Sequence, residues 1–268
     1  MTVKLLVVGG GRIGGAMVAG LVTSGWAEPA EIAVVEPEAE RRKALGEAHP
    51  GLLLWERAES DSVAADGGAL LAVKPEIAES ACAATARARP PRLLSIVAGI
   101  STDRLEVALP SETVVMRAMP NTPVVIGAGV SALSGGSRAQ SEDLTWAEDI
   151  LSSVGTVVRL PERMLHAVTG LSGSGPAYIF LIAEALIEAG VMSGLTRETS
   201  LELVTGTLLG SARLLAESGQ TPEALRAEIT SPAGTTAAGL RALESRAVRS
   251  AFIEAVAAAT ERSRQLGH

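Results

Sequence analysis

Val7-Val8-Gly9-Gly10-Gly11-Arg12-Ile13-Gly14 is the stretch whose reading decides the fold. The run that leads into it, Val3-Lys4-Leu5-Leu6-Val7-Val8, is apolar almost throughout, as a strand covered on both faces of a parallel sheet must be. After it the period changes. Ile13, Met17, Val18, Leu21 and Val22 recur at three and four residues with Gly and Ala between them, which predicts a helix over 12–23 pressed closely on that sheet. Strand, glycine turn and helix are the setting in which Gly9-x-Gly11-x-x-Gly14 holds a dinucleotide; without them the same glycines mark only a turn. Gly9 permits the tight turn, Gly11 leaves the backbone open to a pyrophosphate, and Gly14 lets helix and strand approach. The anion would rest on N–H groups at the helix start, where Arg12 and Ile13 stand.

The chain has 268 residues, room for one large domain or two smaller ones. A net charge of −7 and a sequence pI near 5.2 argue against a sequence-independent grip on nucleic acid, which depends on neutralising phosphates. Aromatic residues are 2% of the chain, too few for base-stacking platforms, so the cores must be built from Ala, Val, Leu and Ile. One cysteine, Cys82, excludes an internal disulfide framework, and the histidines His49, His166 and His268 are scattered, so no metal site is expected. Met1-Thr2-Val3-Lys4 runs straight into the first strand, leaving no room for a signal peptide. The apolar stretches meet charges or glycines before a bilayer is spanned. These features predict a soluble cytoplasmic protein with no membrane or nucleic-acid partner.

Downstream, Glu31-Ile32-Ala33-Val34-Val35-Glu36 reads as a second strand ending in an acid, 22 residues beyond Gly14. At that spacing a carboxylate accepts hydrogen bonds from an adenosine ribose and repels a 2′-phosphate, favouring NADH; Arg41 and Arg42 would partly offset this, and Glu36 is equally readable as a surface acid opening the next helix. Leu52-Leu53-Leu54 and Gly68 to Val73 are short strands, the second running into Lys74-Pro75 and a helix over 76–88. Val73, Lys74 and Pro75 thus fall at the carboxyl edge, where open α/β sheets bind ligands. Arg92 to Val97 is the next strand, opening on Ala98-Gly99, and two further elements, 113–119 and 129–133, extend the sheet. Between those two, Asn121 is placed either near the nicotinamide, where an amide can donate and accept, or as support for a turn between two prolines. A helix over 141–153 and a strand over 156–160 complete residues 1–160 as an α/β Rossmann-type dinucleotide-binding domain, with Pro161 as the boundary.

Residues 161–268 read as helical to the end. Pro176 to Ala189 is a long apolar helix closed by Gly190, Thr196 to Ser218 forms another, Thr221-Pro222 opens a short one, and the last covers about 246–265. A helix apolar nearly all round must be covered on every side, which points to burial against a second copy of the chain. Two turns stand out. Leu171-Ser172-Gly173-Ser174-Gly175-Pro176 places two hydroxyls before a proline that can begin a helix, and Ser231-Pro232-Ala233-Gly234-Thr235-Thr236 offers N–H groups at residues 233 to 236. Such a turn either receives a carboxylate or merely starts a helix.

Taken in order, Gly9-x-Gly11-x-x-Gly14, Val73-Lys74-Pro75, Arg117-Ala118-Met119-Pro120-Asn121-Thr122-Pro123, Ser172-Gly173-Ser174-Gly175-Pro176-Ala177-Tyr178 and Thr230 to Thr236 resemble the motifs of the pyrroline-5-carboxylate reductase family. The resemblance runs from residue 3 to about 265. It implies reduction of a cyclic imine carboxylate to proline with NADPH or NADH, an all-α C-terminal dimerisation domain, and dimers that assemble into rings. It also implies that Ser231, Ala233, Gly234, Thr235 and Thr236 hold the substrate carboxylate beside the nicotinamide, with Thr236, and after it Ser174, hydrogen-bonding the reacting nitrogen. Two residues depart from the pattern. Ala233 stands where the family usually has glycine, and Glu36 stands where many members have small or basic residues suited to a 2′-phosphate. Three other readings remain at this point: a reductase of another cyclic imine, a non-catalytic dinucleotide sensor, and a β-hydroxyacid dehydrogenase. The last, by resemblance, needs a lysine in the long helix, whereas the chain's lysines are Lys4, Lys43 and Lys74.

Overall fold

The computed structural model describes residues 2–266; Met1 and His268 lie outside the described residues. The sheet is built first. β1 (Val3–Val8) leads through the glycine loop to α1 (Arg12–Thr23), and β2 (Ile32–Val35) is followed by α2 (Ala39–Ala48) and β3 (Leu53–Trp55). Then come β4 (Val63–Leu71), α3 (Ala78–Thr85), β5 (Arg92–Ser95), α4 (Thr102–Val107), β6 (Val114–Pro120), β7 (Gly129–Gly135), α5 (Ser141–Ser152) and β8 (Gly155–Arg159). The eight strands lie in the order β3-β2-β1-β4-β5-β6-β7-β8, so the direction of winding reverses at β1, beside the glycine loop.

All pairings are parallel except β6 with β7. Chain length explains the exception. Only a 3₁₀ turn over Thr122–Ile126 joins these two strands, and a parallel pairing needs a crossover of a dozen or more residues. α5 supplies such a crossover between β7 and β8, which are parallel again. Leu5, Val7, Met17, Leu21 and Leu70 form one apolar layer, and Leu6, Ala69, Leu71, Leu93 and Cys82 the other, so the central strands are covered on both faces as their composition requires. Burial, and after it the nearby Glu79, push the Cys82 thiol up to about 11.

Several predicted bounds shift for local reasons. β4 begins at Val63 instead of Gly68, passing through an irregularity in its pairing with β1. A Cβ at Gly67 would lie 2.5 Å from the Lys4 carbonyl oxygen, so this glycine marks a close approach within the strand and not a turn before it. The single helix expected over 76–88 is α3 flanked by two 3₁₀ turns, 75–77 and 86–88. α4 carries too few apolar positions to declare itself by period.

Beyond Leu160 the described chain is helical. A 3₁₀ turn (Glu162–Met164), α6 (Leu165–Val168) and a π-helical turn (Thr169–Gly173) precede α7 (Gly175–Met192), α8 (Arg197–Glu217), α9 (Pro222–Glu228), α10 (Thr235–Ser245) and α11 (Val248–Leu266). Two compact units result: one holds the chain up to Ser174 with the segment from Ala258 onward, the other is Gly175–Ala257. The turn expected at Ser172 to Pro176 is helical instead, because the π turn absorbs it: the Ser174 N–H donates to the Thr169 carbonyl at 2.8 Å. Nor does Gly190 close α7. The Leu195 N–H bonds the Gly190 carbonyl and the Gly194 N–H bonds that of Val191, a Schellman end with Gly194 at φ +96°. Gly190 is required by packing, since a Cβ there would meet Ser200 Oγ at 2.5 Å. Glycines lower helix propensity without breaking the helix. Glu162–Met192 is therefore, contrary to expectation, long and apolar enough by length and composition to cross a bilayer. Of the α7 side chains only Ile187 is buried in the single chain, while Phe180 and Leu181 are 62% and 65% exposed.

Candidate active site

The carboxyl edge of the sheet opens into a cleft of about 1490 Å³ at the point where the winding reverses. Its floor is the glycine loop. Gly9 sits at φ +104° with room for nothing more, as a Cβ there would lie 2.6 Å from the Ala72 carbonyl oxygen. A Cβ at Gly14 would overlap the carbonyl oxygen of Gly9, so Gly14 is buried behind the loop and not on the cleft wall. Around Gly11 the space is open, and α1 starts there without a side-chain cap, leaving first-turn N–H groups for an anion. These three environments fit a dinucleotide pyrophosphate.

Gly9, Gly11, Arg12, Ile13, Glu36, Val73, Lys74, Pro75 and Asn121 all line the cleft. Ala98 and Gly99, expected there, do not line it; the strand before them reaches the cleft through Ile96, and Gly99 turns the chain at φ +82°. The periodicity did not single out Gly10, Leu45, Ala81, Ala84, Thr85, Met119 or Gly173, which also contribute. A third consecutive glycine was the available signal for Gly10: a Cβ there would meet Leu45 Cδ1 at 2.7 Å.

Glu36 follows β2 and donates its own N–H to Trp55, which fixes its backbone on the sheet. Its side chain is held too: Oε2 accepts from the Gly10 N–H and Oε1 from the Glu38 N–H, each at 3.0 Å. Asn121 supports the turn expected of it and also lines the cleft. Its Oδ1 accepts the Val130 N–H at 2.9 Å, fixing the β6–β7 turn, and its amide NH₂ keeps donors for a ligand.

β6 delivers Met119, Pro120 and Asn121 to the cleft and is itself anchored by Arg117. The buried Arg117 guanidinium pairs with Glu162 at 3.0 Å, and Glu162 also accepts from the Thr102 N–H at 2.9 Å and Oγ1 at 2.6 Å. Burial pushes the Glu162 carboxyl up, but the bonds from Thr102 and Arg117 outweigh it and hold the group below the usual carboxylate range. Arg117 Nε has no partner. Met119 in turn meets the π turn, where a Cβ on Gly173 would lie 2.9 Å from Met119 Cε.

The helical unit carries the second candidate feature. Ser231-Pro232-Ala233-Gly234 is closed by the Gly234 N–H donating to the Ser231 carbonyl at 3.1 Å, so that N–H, expected to be open, is already used. Proline at the second position and Ala233 at φ +59° make this a type II turn. Gly234 leaves room for the Ser231 hydroxyl, which a Cβ there would displace. α10 then begins without a side-chain cap, so Thr235 and Thr236 present first-turn N–H groups that have no intrahelical acceptor. Such a start can receive a carboxylate, with the Thr236 hydroxyl alongside. Among the described residues no cluster of His, Cys, Asp and Glu could hold a metal ion.

Residues 162–266 match the family model described as pyrroline-5-carboxylate reductase dimerisation, and residues 4–99 that described as NADP oxidoreductase coenzyme F420-dependent. A pyrroline-5-carboxylate reductase of Synechocystis is 40% identical over 268 residues, covering 100% of this chain and 99% of the relative. Among solved structures, that of a pyrroline-5-carboxylate reductase from Coxiella burnetii superposes with a TM-score of 0.90 at 33% identity, covering 100% of both chains. The Plasmodium falciparum pyrroline carboxylate reductase with NADP bound gives a TM-score of 0.84 at 31% identity, covering 99% of this chain and 98% of that one.

Proposed function

The chain belongs to the pyrroline-5-carboxylate reductase family, and from that premise we propose how its own residues reduce 1-pyrroline-5-carboxylate to L-proline with NADH or NADPH, the last step of proline biosynthesis. The observation that carries the reading is the glycine-floored cleft beside an uncapped helix start, in a chain whose full length matches the family. Gly9, Gly11, Arg12 and Ile13 seat the pyrophosphate, Gly14 makes the loop possible, and Val73, Lys74, Pro75 and Asn121 line the edge where the nicotinamide half belongs. Bound dinucleotide supplies the hydride. The work left to the protein is to hold two reactants in line, exclude water and satisfy one proton.

In the helical unit, the N–H groups of Thr235 and Thr236 grip the substrate carboxylate, with Ser231, Ala233 and Gly234 shaping the turn. The Thr236 hydroxyl bonds the ring nitrogen, directly or through water, and Ser174 is the second hydroxyl candidate. A protonated imine is already electrophilic, so no stronger acid is needed. The functional division falls at Pro161, with residues 1–160 binding dinucleotide and 161–268 serving dimerisation and substrate. The exposed apolar face of α7 is covered by a second copy and not by lipid. The enzyme works in the cytoplasm, and its dimers associate further into a ring.

Steady-state oxidation of NAD(P)H with the five-membered imine tests the activity; turnover confined to a six-membered ring would overturn it. Thr236→Ala tests the mechanism. It should leave dinucleotide affinity intact, weaken carboxylate binding only slightly, because the carboxylate donors are backbone groups, and lower the single-turnover hydride-transfer rate by about 10²-fold, as other single-donor deletions do. A wild-type rate in that variant would reduce Thr236 to a helix start.

A further inference from the structure

We propose that Glu36 makes this enzyme prefer NADH to NADPH, and that it acts from a fixed position because the glycine loop itself holds its carboxylate. The proposal rests on the cleft taking a dinucleotide, as argued above. Glu36 is 5% exposed and lines the cleft at the end of β2, where the adenosine ribose of a dinucleotide lies in this fold. Its two oxygens are engaged by two different backbone segments, Oε2 by Gly10 of the loop and Oε1 by Glu38 at the start of α2. The approach to Gly10 is close: a Cβ there would stand 3.2 Å from Glu36 Cβ. Held at both oxygens, the carboxylate has no other rotamer to which it can retreat without abandoning two N–H donors.

What this group recognises follows from its chemistry. Each oxygen keeps a lone pair and neither can donate, so the carboxylate matches the two hydroxyl donors of a ribose diol. A 2′-phosphate offers acceptors and negative charge at the same place, and the fixed carboxylate cannot turn aside for it. The nearby arginines do not reverse this. Arg42 Nη1 already donates to the Glu36 and Pro37 carbonyls at 2.6 and 2.8 Å. Arg41 pairs with Glu38 at 2.9 Å on the exposed surface; it could leave at little cost, but its departure uncovers a second carboxylate lining the same cleft. Arg12, Arg57 and Lys74 also line the cleft, and are the cations that would contradict the proposal by taking a 2′-phosphate.

The test is direct binding of NADH and of NADPH to the intact enzyme without imine, followed by cofactor fluorescence at one ionic strength. The wild-type enzyme should bind NADH at least about 10-fold more tightly, equivalent to about 1.4 kcal/mol. In Glu36→Ser, NADH should bind more weakly and NADPH more tightly, bringing the ratio near unity. Glu36→Gln should lose NADH affinity as well, because its NH₂ must face one of the two N–H donors. Wild-type binding of NADPH as tight as that of NADH, with Arg57 or another cation taking the phosphate, overturns the proposal, and so does an unchanged ratio in Glu36→Ser. The wild-type ratio decides the question even where a variant does not fold. Preference for NADH without reduction of the imine would overturn the assigned reaction and leave this proposal standing, whereas reduction with equal affinity for both cofactors would overturn this proposal alone.

Discussion

Ala233 occupies a backbone conformation that glycine adopts freely and alanine does not. At φ +59° in the third position of the Ser231 to Gly234 turn it carries the strain of an L-residue in the left-handed region, about 1 kcal/mol. Ala233→Gly relieves that strain but returns about 0.4–1 kcal/mol of conformational freedom to the unfolded chain. The two nearly cancel, so thermal melting should change little. Ala233→Val should lower the melting temperature clearly, because a β-branched residue is a true outlier at this φ. Alanine in place of the family's usual glycine is therefore tolerated by a near balance, and the turn it forms is the same type II turn that glycine would make. Gly14 permits no such exchange. Its Cβ would overlap the Gly9 carbonyl oxygen, backbone against backbone, so Gly14→Ala should cost at least about 1–3 kcal/mol in melting experiments and abolish most NADH binding.

Between elements, the Arg117–Glu162–Thr102 cluster ties β6 to α4 and to the segment that opens the helical stretch. The native state holds Glu162 below its unfolded value of about 4.3. It therefore binds fewer protons than the unfolded chain, and the stabilisation is present above that value and lost as pH falls through the lower native one. Melting temperature should drop on acidification below about pH 4–5, and Glu162→Gln should be less stable at neutral pH with a shallower acid limb. How far such elements could be read beforehand depended on chain locality. β1, the glycine loop and α1 declared themselves because their pattern is local: an apolar run, a turn and a 3.6-residue period in 21 residues. The cluster was illegible because its members stand 45 and 60 residues apart. Gly190 and Gly194 could not be ranked as helix ends without knowing that Ser200 lies against one of them. Of the two roles left open for Asn121, the β6–β7 turn shows the supporting one. The open N–H expected at Gly234 failed for the opposite reason, since the turn that presents its neighbours consumes that donor.

For the molecule as a whole, the helical unit is unfinished as a single chain. Phe180, Leu181, Leu203, Leu209 and Ile253 are all more than half exposed. Covering each with a second copy yields about 1.5–3 kcal/mol per fully buried side chain, so sedimentation at micromolar concentration should show no monomer. Leu181→Glu should shift the population toward monomer and lower the melting temperature, while a dimer unaffected by this change would put the interface on another face. The need for a partner was legible in the sequence of α7 alone, because one helix apolar all round cannot be covered by about a hundred residues of other helices. The sheet unit offers a different instrument. Cys82, the chain's lone thiol, sits on the buried face of α3 with its hydrogen directed to the Leu105 carbonyl, and its thiolate is scarce at neutral pH. An alkylating reagent will therefore find nothing to label until α3 lifts from the strands, and the alkylation rate becomes a clock for that opening, read without any engineered tag. By the same property, a cysteine introduced on the exposed face of α8 or α10 is the one addressable position in the native enzyme, ready to carry a fluorophore or spin probe that follows how two copies come together.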